Sequence, residues 1–120
     1  MEYKRYIIEV GHALDLHGQD VTKAAQKAVK EAVSHSCLCG LKEVAGVKGP
    51  DDVKLEITIG SPFPDQVRKE ELTGLLPYRN VEVKSVPGGM AVPGLFVPSL
   101  GDKDDSIVIV NAVIVVYVKA

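Results

Sequence analysis

The last strand of this 120-residue chain constrains the fold most, because it needs cover on both faces. Residues 107–118 are all hydrophobic except Asn111. Twelve extended residues at about 3.3 Å each span roughly 40 Å, whereas a globular domain of this length is roughly 35 Å across. Helices can cover one face of such a strand, and little of the chain is left for the other. We therefore expect a homo-oligomer in which a neighbouring subunit supplies the missing cover.

Other patterns place the remaining elements. Apolar residues at 21, 24, 25, 28, 29, 32 and 33 form one stripe, which predicts a helix with Asp20 as its N-cap and an end near Cys39. Apolar and polar residues alternate over 53–59, which predicts a strand with one buried face. Further patterns predict a strand over 5–11, a shorter helix over 65–76 and a strand over 79–86.

The resulting order is β-α-β-α-β-loop-β. It predicts an α+β two-layer sandwich, with a four-stranded sheet and helices on one face. At 120 residues the chain fits a single domain covering residues 1–120, because two halves would each be too small for a good core.

Charge and cysteine content exclude several classes of protein. Fourteen basic and sixteen acidic residues give a net charge of −2 without a basic block, so we expect no nucleic-acid partner. The longest apolar stretch is shorter than the ~18 residues of a membrane span, and the start lacks a signal-peptide core. We expect no membrane association. Two cysteines do not form a disulfide framework, which favours a reducing cytoplasm.

The segment from Gly11 to Gly18 is the best candidate for a functional site. It carries Asp15 and His17 two residues apart, so both side chains project to one side if the backbone is extended. A carboxylate beside an imidazole orients the ring and raises its basicity, as a general base requires. The flanking glycines allow a sharp turn and close ligand approach, and the next helix N-terminus favours anions. The alternative is that Asp15 binds turn amides and His17 binds a nearby carbonyl.

The long connection over residues 87–104 is a second candidate region. Structureless connections beyond about 12–15 residues are uncommon and usually functional or disordered. This one carries apolar side chains among its prolines and glycines, so we expect it to pack on a neighbouring subunit, to close a site, or to fold over its own domain. Gly88, Gly89 and Met90 are ligand-binding candidates there. Asn111 is another, since its amide needs partners either from another strand or in the site beside His17.

A metal site is the next hypothesis. The residues of ligand type are His12, Asp15, His17, His35, Cys37 and Cys39. The His-x-Cys-x-Cys run over 35–39 lacks the Cys-x-x-Cys spacing of common zinc sites, and a fourth ligand would have to come from the turn. We expect two small buried thiols at a helix end, with no metal and no cofactor.

The pattern Gly11-x-x-x-Asp15-x-His17-Gly18 resembles the Gly-x-Gly-x-Asp-x-His-Gly signature of a small family of uncharacterised proteins. That family was first catalogued from a Listeria open reading frame and occurs in scattered bacteria and in plants. Residues 19–25 and 107–112 are also similar to it, so the resemblance covers nearly the whole chain. This chain departs at Ala13, where the signature has glycine. The resemblance implies a family without an assigned activity, and it strengthens Asp15 and His17 as site residues.

A fainter similarity to the trimeric chorismate-mutase-like and cyanuric-acid-hydrolase folds implies ligand sites between subunits. Our first hypothesis is a small-molecule metabolic enzyme with His17 as acid or base, Asp15 orienting it, and residues 88–98 closing the pocket near a subunit interface. The alternative is a non-catalytic ligand-binding or structural oligomeric module in which the turn is structural. The sequence defines neither the substrate nor the reaction.

Overall fold

The computed structural model describes residues 2–119, which form one five-stranded sheet with helices on one face. The strands are β1 (Tyr3–Asp15), β2 (Val53–Ser61), β3 (Asn80–Pro87), β4 (Met90–Pro93) and β5 (Ser106–Lys119). The helices are α1 (Val21–Val33) and the single-turn α2 (Gly40–Glu43). The strand order is β1-β5-β2-β3, and β4 pairs with β5 beyond the end of β2. The mixed α+β class is confirmed, whereas the prediction of four strands is wrong because part of the long connection pairs with β5.

β5 is the central strand. It runs antiparallel to β1, β2 and β4, while β2 and β3 are parallel to each other. Every second residue of β5 is buried under the helices: Val108, Val110, Ala112, Ile114 and Val116. The residues between them face the opposite side of the sheet, where most are only partly buried. The strand therefore has one fully covered face, as its apolar sequence requires, and one open face.

The helix α1 packs closely on the sheet because its buried stripe is rich in alanine. Asp20 caps the helix by accepting a hydrogen bond from the Lys23 amide at 3.0 Å. A Cβ atom at Gly11 would lie 2.5 Å from the Ala28 oxygen and the Ala32 nitrogen. Gly11 therefore serves the contact between strand and helix, which excludes any larger side chain from this position.

Two predicted boundaries are wrong. α1 ends at Val33 instead of near Cys39, because the Ser34 hydroxyl and amide both bond the Glu31 oxygen and close the last turn. The first strand continues four residues past Gly11, because its backbone keeps pairing with β5 as far as Asp15 opposite Val108.

The predicted helix over residues 65–76 is also wrong. The segment contains only short 3-10 turns, at Pro64–Gln66 and Lys69–Glu71. Between these turns the Arg68 amide donates to the Thr22 hydroxyl of α1 at 2.9 Å, so a tertiary contact replaces the local helical hydrogen bond. Leu72 is fully buried and fixes the segment to the core.

The face of the sheet opposite the helices carries exposed apolar side chains. Ile8 is 50% exposed, Val10 59% and Leu14 39%. The chain is elongated, with extents of 51 × 24 × 20 Å and a radius of gyration of 16.0 Å, against about 14 Å for a compact chain of this length. The single domain, the homo-oligomer and the chorismate-mutase-like fold stay predictions.

Candidate functional site

The candidate site is the turn between β1 and α1, which the C-terminal half of the chain holds in place. Gly18 and Gln19 both have left-handed backbones, with φ of +97° and +52°. Glutamine is unusual in this conformation, and its side chain makes the compensating contacts. Its amide nitrogen donates to the Ser106 oxygen at 2.8 Å, and its amide oxygen accepts from the Lys103 amide at 2.9 Å. The buried Gln19 side chain therefore joins the turn to residues 102–106.

His17 pairs with the carboxylate of Asp102. Its Nδ1 lies 2.7 Å from Oδ2 of Asp102, and the two side chains are 30% and 0% exposed. Asp102 also accepts hydrogen bonds from the amides of Gly18 at 2.7 Å and Val97 at 2.8 Å, and from the Gln19 side chain at 3.1 Å. The carboxylate thus binds one ring nitrogen and also anchors the loop, leaving the second ring nitrogen, Nε2, for other contacts.

These contacts set the charge of Asp102. Burial would raise the pKa of this carboxyl, but the hydrogen bonds from His17 and from the Val97 and Gly18 amides outweigh burial and hold the pKa well below its usual range. The group is therefore an anion at neutral pH. An anion on Nδ1 favours a proton on that nitrogen, so that Nε2 is the nitrogen able to accept one.

Asp15 lies on the other side of the turn and does not bond the ring. Its side chain is buried, and Oδ2 accepts the Asp20 amide at 2.9 Å. Lys23 Nζ lies 4.0 Å from Oδ1. The alternative interpretation is therefore correct for Asp15, which accepts a hydrogen bond from a turn amide. Its side chain points toward the helix layer because of its position on β1. The chain leaves the strand before His17, so the two side chains no longer share a face.

A polar cleft of about 400 Å³ adjoins the turn. It is lined by Gly18, Gln19, Asp20, Val21, Gln66, Arg68 and Lys103. Arg68 is paired with Glu71 and lies 3.9 Å from Asp20, whereas Lys103 is exposed. The cleft is large enough for a small polar metabolite.

The other predicted ligand-binding residues lie together at a different corner. Asn111 Oδ1 accepts a hydrogen bond from the Gly89 amide at 3.1 Å, so its side chain stabilises the turn between β3 and β4. A Cβ at Gly88 would lie 2.9 Å from the Gly60 Cα, and Gly89 has a φ of +57°. Met90 begins β4 and is 55% exposed. Asn111 pairs with His12 in the sheet. His12 is three residues, or about 10 Å, before Asp15 along β1. The structure therefore does not bring Asn111 together with His17.

The residues of metal-ligand type are dispersed. His12 and His35 both have a ring nitrogen near the Glu31 carboxylate, at 3.7 Å and 3.0 Å, on the surface of the protein. Cys37 and Cys39 are exposed and free, so the prediction of buried thiols at a helix end is wrong, because α1 has already ended. Within residues 2–119 no three side chains of His, Cys, Asp or Glu are grouped to hold a metal ion.

Fold and site together define an α+β protein with a carboxylate–imidazole pair at a strand-to-helix turn. The chain belongs to the conserved hypothetical protein family Lin0512, whose family model matches residues 5–116. The family resemblance stated from the sequence is thus confirmed.

The comparison with solved structures finds the same fold in a cyanobacterium. The crystal structure of an FtsZ-like protein of unknown function from Nostoc punctiforme has a TM-score of 0.88 and 40% sequence identity, covering 100% of this chain and 99% of that one. No curated protein matches the chain. Across residues 2–119, no helix has both the length and the apolar character needed to cross a membrane.

Proposed function

We propose that the protein acts on a small polar molecule, with His17 as acid or base and Asp102 as the carboxylate that orients it. The observation that carries this proposal is the 2.7 Å contact between His17 Nδ1 and the buried Asp102 carboxylate. A carboxylate on one ring nitrogen fixes the tautomer and leaves the other nitrogen able to accept a proton, as general acid–base catalysis requires. Asp15, which the sequence places in this role, instead holds the turn through the Asp20 amide.

The adjoining cleft supports a polar substrate. His17 is not among the residues that line this cleft; the lining begins at the next residue, Gly18, and reaches the first turn of α1. Asp20 caps the helix at this end of the cleft, and the Lys103 ammonium favours a molecule with carbonyl or anionic groups. Catalysis and substrate binding would then both involve this turn, and the loop that carries Asp102 would form one side of the cleft.

A screen of small polar metabolites for binding and turnover tests this proposal. We expect His17→Gln to lose turnover of whichever substrate the wild type converts. His12→Gln is the matched control, because His12 lies on the same segment with a side chain 70% exposed and outside the site. Equal turnover by all three proteins would contradict a catalytic His17 and favour a structural turn in a non-catalytic module.

We further propose that the protein is a homo-oligomer assembled through the open face of the sheet. At about 3.3 Å per residue and about 4.8 Å between strands, the whole face presents roughly 750 Å², close to the ~800 Å² per partner of a standard interface. Its part on β2 and β3 carries charged pairs, Lys54 with Glu56 and Lys84 with Glu82. Its exposed apolar side chains, among them Ile8 and Val10, are the kind that interfaces bury. Leu95 and Phe96, in the segment that follows β4, are a further pair of exposed apolar side chains, at 72% and 51%.

Light scattering tests the oligomer. We expect a wild-type mass that is a multiple of 12.9 kDa, and a Val10→Lys variant that dissociates because a buried unpaired ammonium is costly at an interface. Val44→Lys is the control, since Val44 is 85% exposed and lies outside the sheet. A wild-type mass of one chain at micromolar concentration would refute this assembly.

The proposed setting is the cytoplasm. Cys37 and Cys39 are both exposed and free. Exposed thiols persist where the surroundings are reducing, which is the condition that supports this assignment.

A further inference from the structure

Glu9 is a buried residue with one carboxyl oxygen unpaired. It lies on β1 opposite Ile114, on the face under the helices, and is 6% exposed. Its Oε2 is buried and has no hydrogen-bond partner within residues 2–119. Nearly all buried polar atoms in native proteins have partners, because an unpaired one costs free energy. The fold alone therefore does not account for a glutamate at this position.

An apolar cavity of about 160 Å³ is lined in part by Glu9. Its walls include Val33 and Leu38 at the end of the helix layer, Leu55 and Ile114 of the sheet, and Leu76 and Tyr78 before β3. An apolar cavity of about 150 Å³ holds one benzene molecule. The space thus fits one small ring or branched alkyl group.

The cavity adjoins a cleft on the surface. A shallow cleft of about 300 Å³ shares Leu38, Pro77 and Tyr78 with it. A ligand could enter between the segment that follows α1 and the segment that precedes β3. Neither segment is part of the hydrogen-bonded sheet, so entry leaves the strand pairing intact.

The carboxyl group of Glu9 indicates which chemical group a ligand of this cavity would supply. Burial raises the pKa of this carboxyl, against the opposing effects of the His35 charge and the Ser36 hydroxyl. Tyr78 is the other titratable side chain in the wall. A cationic donor placed at Oε2 would stabilise the carboxylate through a charge-assisted hydrogen bond.

We propose that this cavity is a second ligand site, for a small organic amine whose ammonium group bonds Glu9 and whose hydrocarbon part fills the apolar space. Glu9 is six residues, or about 20 Å of strand, from Asp15. The amine site is thus separate from the turn that carries His17, and it does not depend on the function proposed for that turn.

Titration with benzylamine, followed by NMR chemical shifts or by thermal shift, tests the site. We expect wild type to bind benzylamine at least tenfold more tightly than benzyl alcohol, because only the amine carries the charge; tenfold corresponds to about 1.4 kcal/mol. Glu9→Gln keeps the shape and should lose this preference. Glu82→Gln, a surface glutamate with a side chain 53% exposed, and His17→Gln should bind as wild type does.

A second variant tests the cavity itself. Leu76→Phe adds volume inside the wall and leaves Glu9 in place, so it should abolish benzylamine binding even if Glu9→Gln does not fold. The proposal is overturned if wild type does not bind benzylamine at millimolar concentration, if Glu9→Gln binds it as tightly, or if Leu76→Phe leaves binding unchanged.

Discussion

An Asp102→Asn variant should melt about 5–10 °C below wild type at neutral pH, through the loss of hydrogen bonds to a charged group. Asparagine has one acceptor oxygen, whereas the Asp102 carboxylate accepts from His17, Gly18, Gln19 and Val97. At least two of these donors would lose their partner. The same change removes the anion from the His17 ring, so turnover of a substrate should fall by about 10²–10⁴-fold. Thermal unfolding and steady-state kinetics measure the two effects.

The pH dependence of stability provides an independent check on Asp102. Its folded pKa lies below the unfolded value of about 3.9, so the unfolded chain takes up the proton first. Its contribution to stability is complete above that value and is lost as the pH falls below about 4. We expect the free energy of unfolding to fall more steeply in this range for wild type than for Asp102→Asn. Parallel curves for the two proteins would contradict an ionised Asp102 stabilised by these hydrogen bonds.

A Gly11→Ala variant should lose about 1–3 kcal/mol of stability, as an overpacked core does. The added methyl group would lie 2.5 Å from the backbone of α1 at Ala28 and Ala32. Neither backbone atom can rotate away, so the helix itself must shift. Urea unfolding gives the loss directly as a change in midpoint.

The control for Gly11 is Gly74→Ala. Gly74 has no atom within 4 Å of the added Cβ and is exposed, so the change in stability should stay within about 0.5 kcal/mol. A Gly11→Ala protein as stable as wild type would contradict the packing role. It would also restore the interpretation from sequence, in which Gly11 lets a ligand approach the backbone.

The parts of the fold predicted correctly are those with a local cause. The stripe from Val21 and the Asp20 cap define the start of α1 within one segment of chain. The segment over 65–76 was assigned to the wrong structure because its amide at Arg68 bonds Thr22, more than forty residues away. β4 was missed for the same reason, since its four residues pair with β5 rather than with their neighbours in sequence.

The candidate site was likewise predictable only in part. The turn and His17 follow from spacing, but the carboxylate that binds the ring is 85 positions away. Residues 102–105 contain three aspartates, and no local pattern distinguishes Asp102 from the other two. The contacts of Gln19 with this loop, together with the Gly18 and Val97 amides, hold Asp102 at the ring. The sequence pattern therefore predicts the histidine and not its partner.

The position of β5 has a consequence for how the chain folds. This strand follows all the others in sequence, yet it lies between β1 and β2, which do not pair with each other. While the chain emerges from a ribosome, both strands keep unpaired edges until β5 arrives, and such edges invite pairing with other chains. When β5 pairs with β1 and β2, it brings together residues that are far apart in the sequence, and contacts of this kind slow folding. Chaperone dependence during synthesis would follow from topology alone.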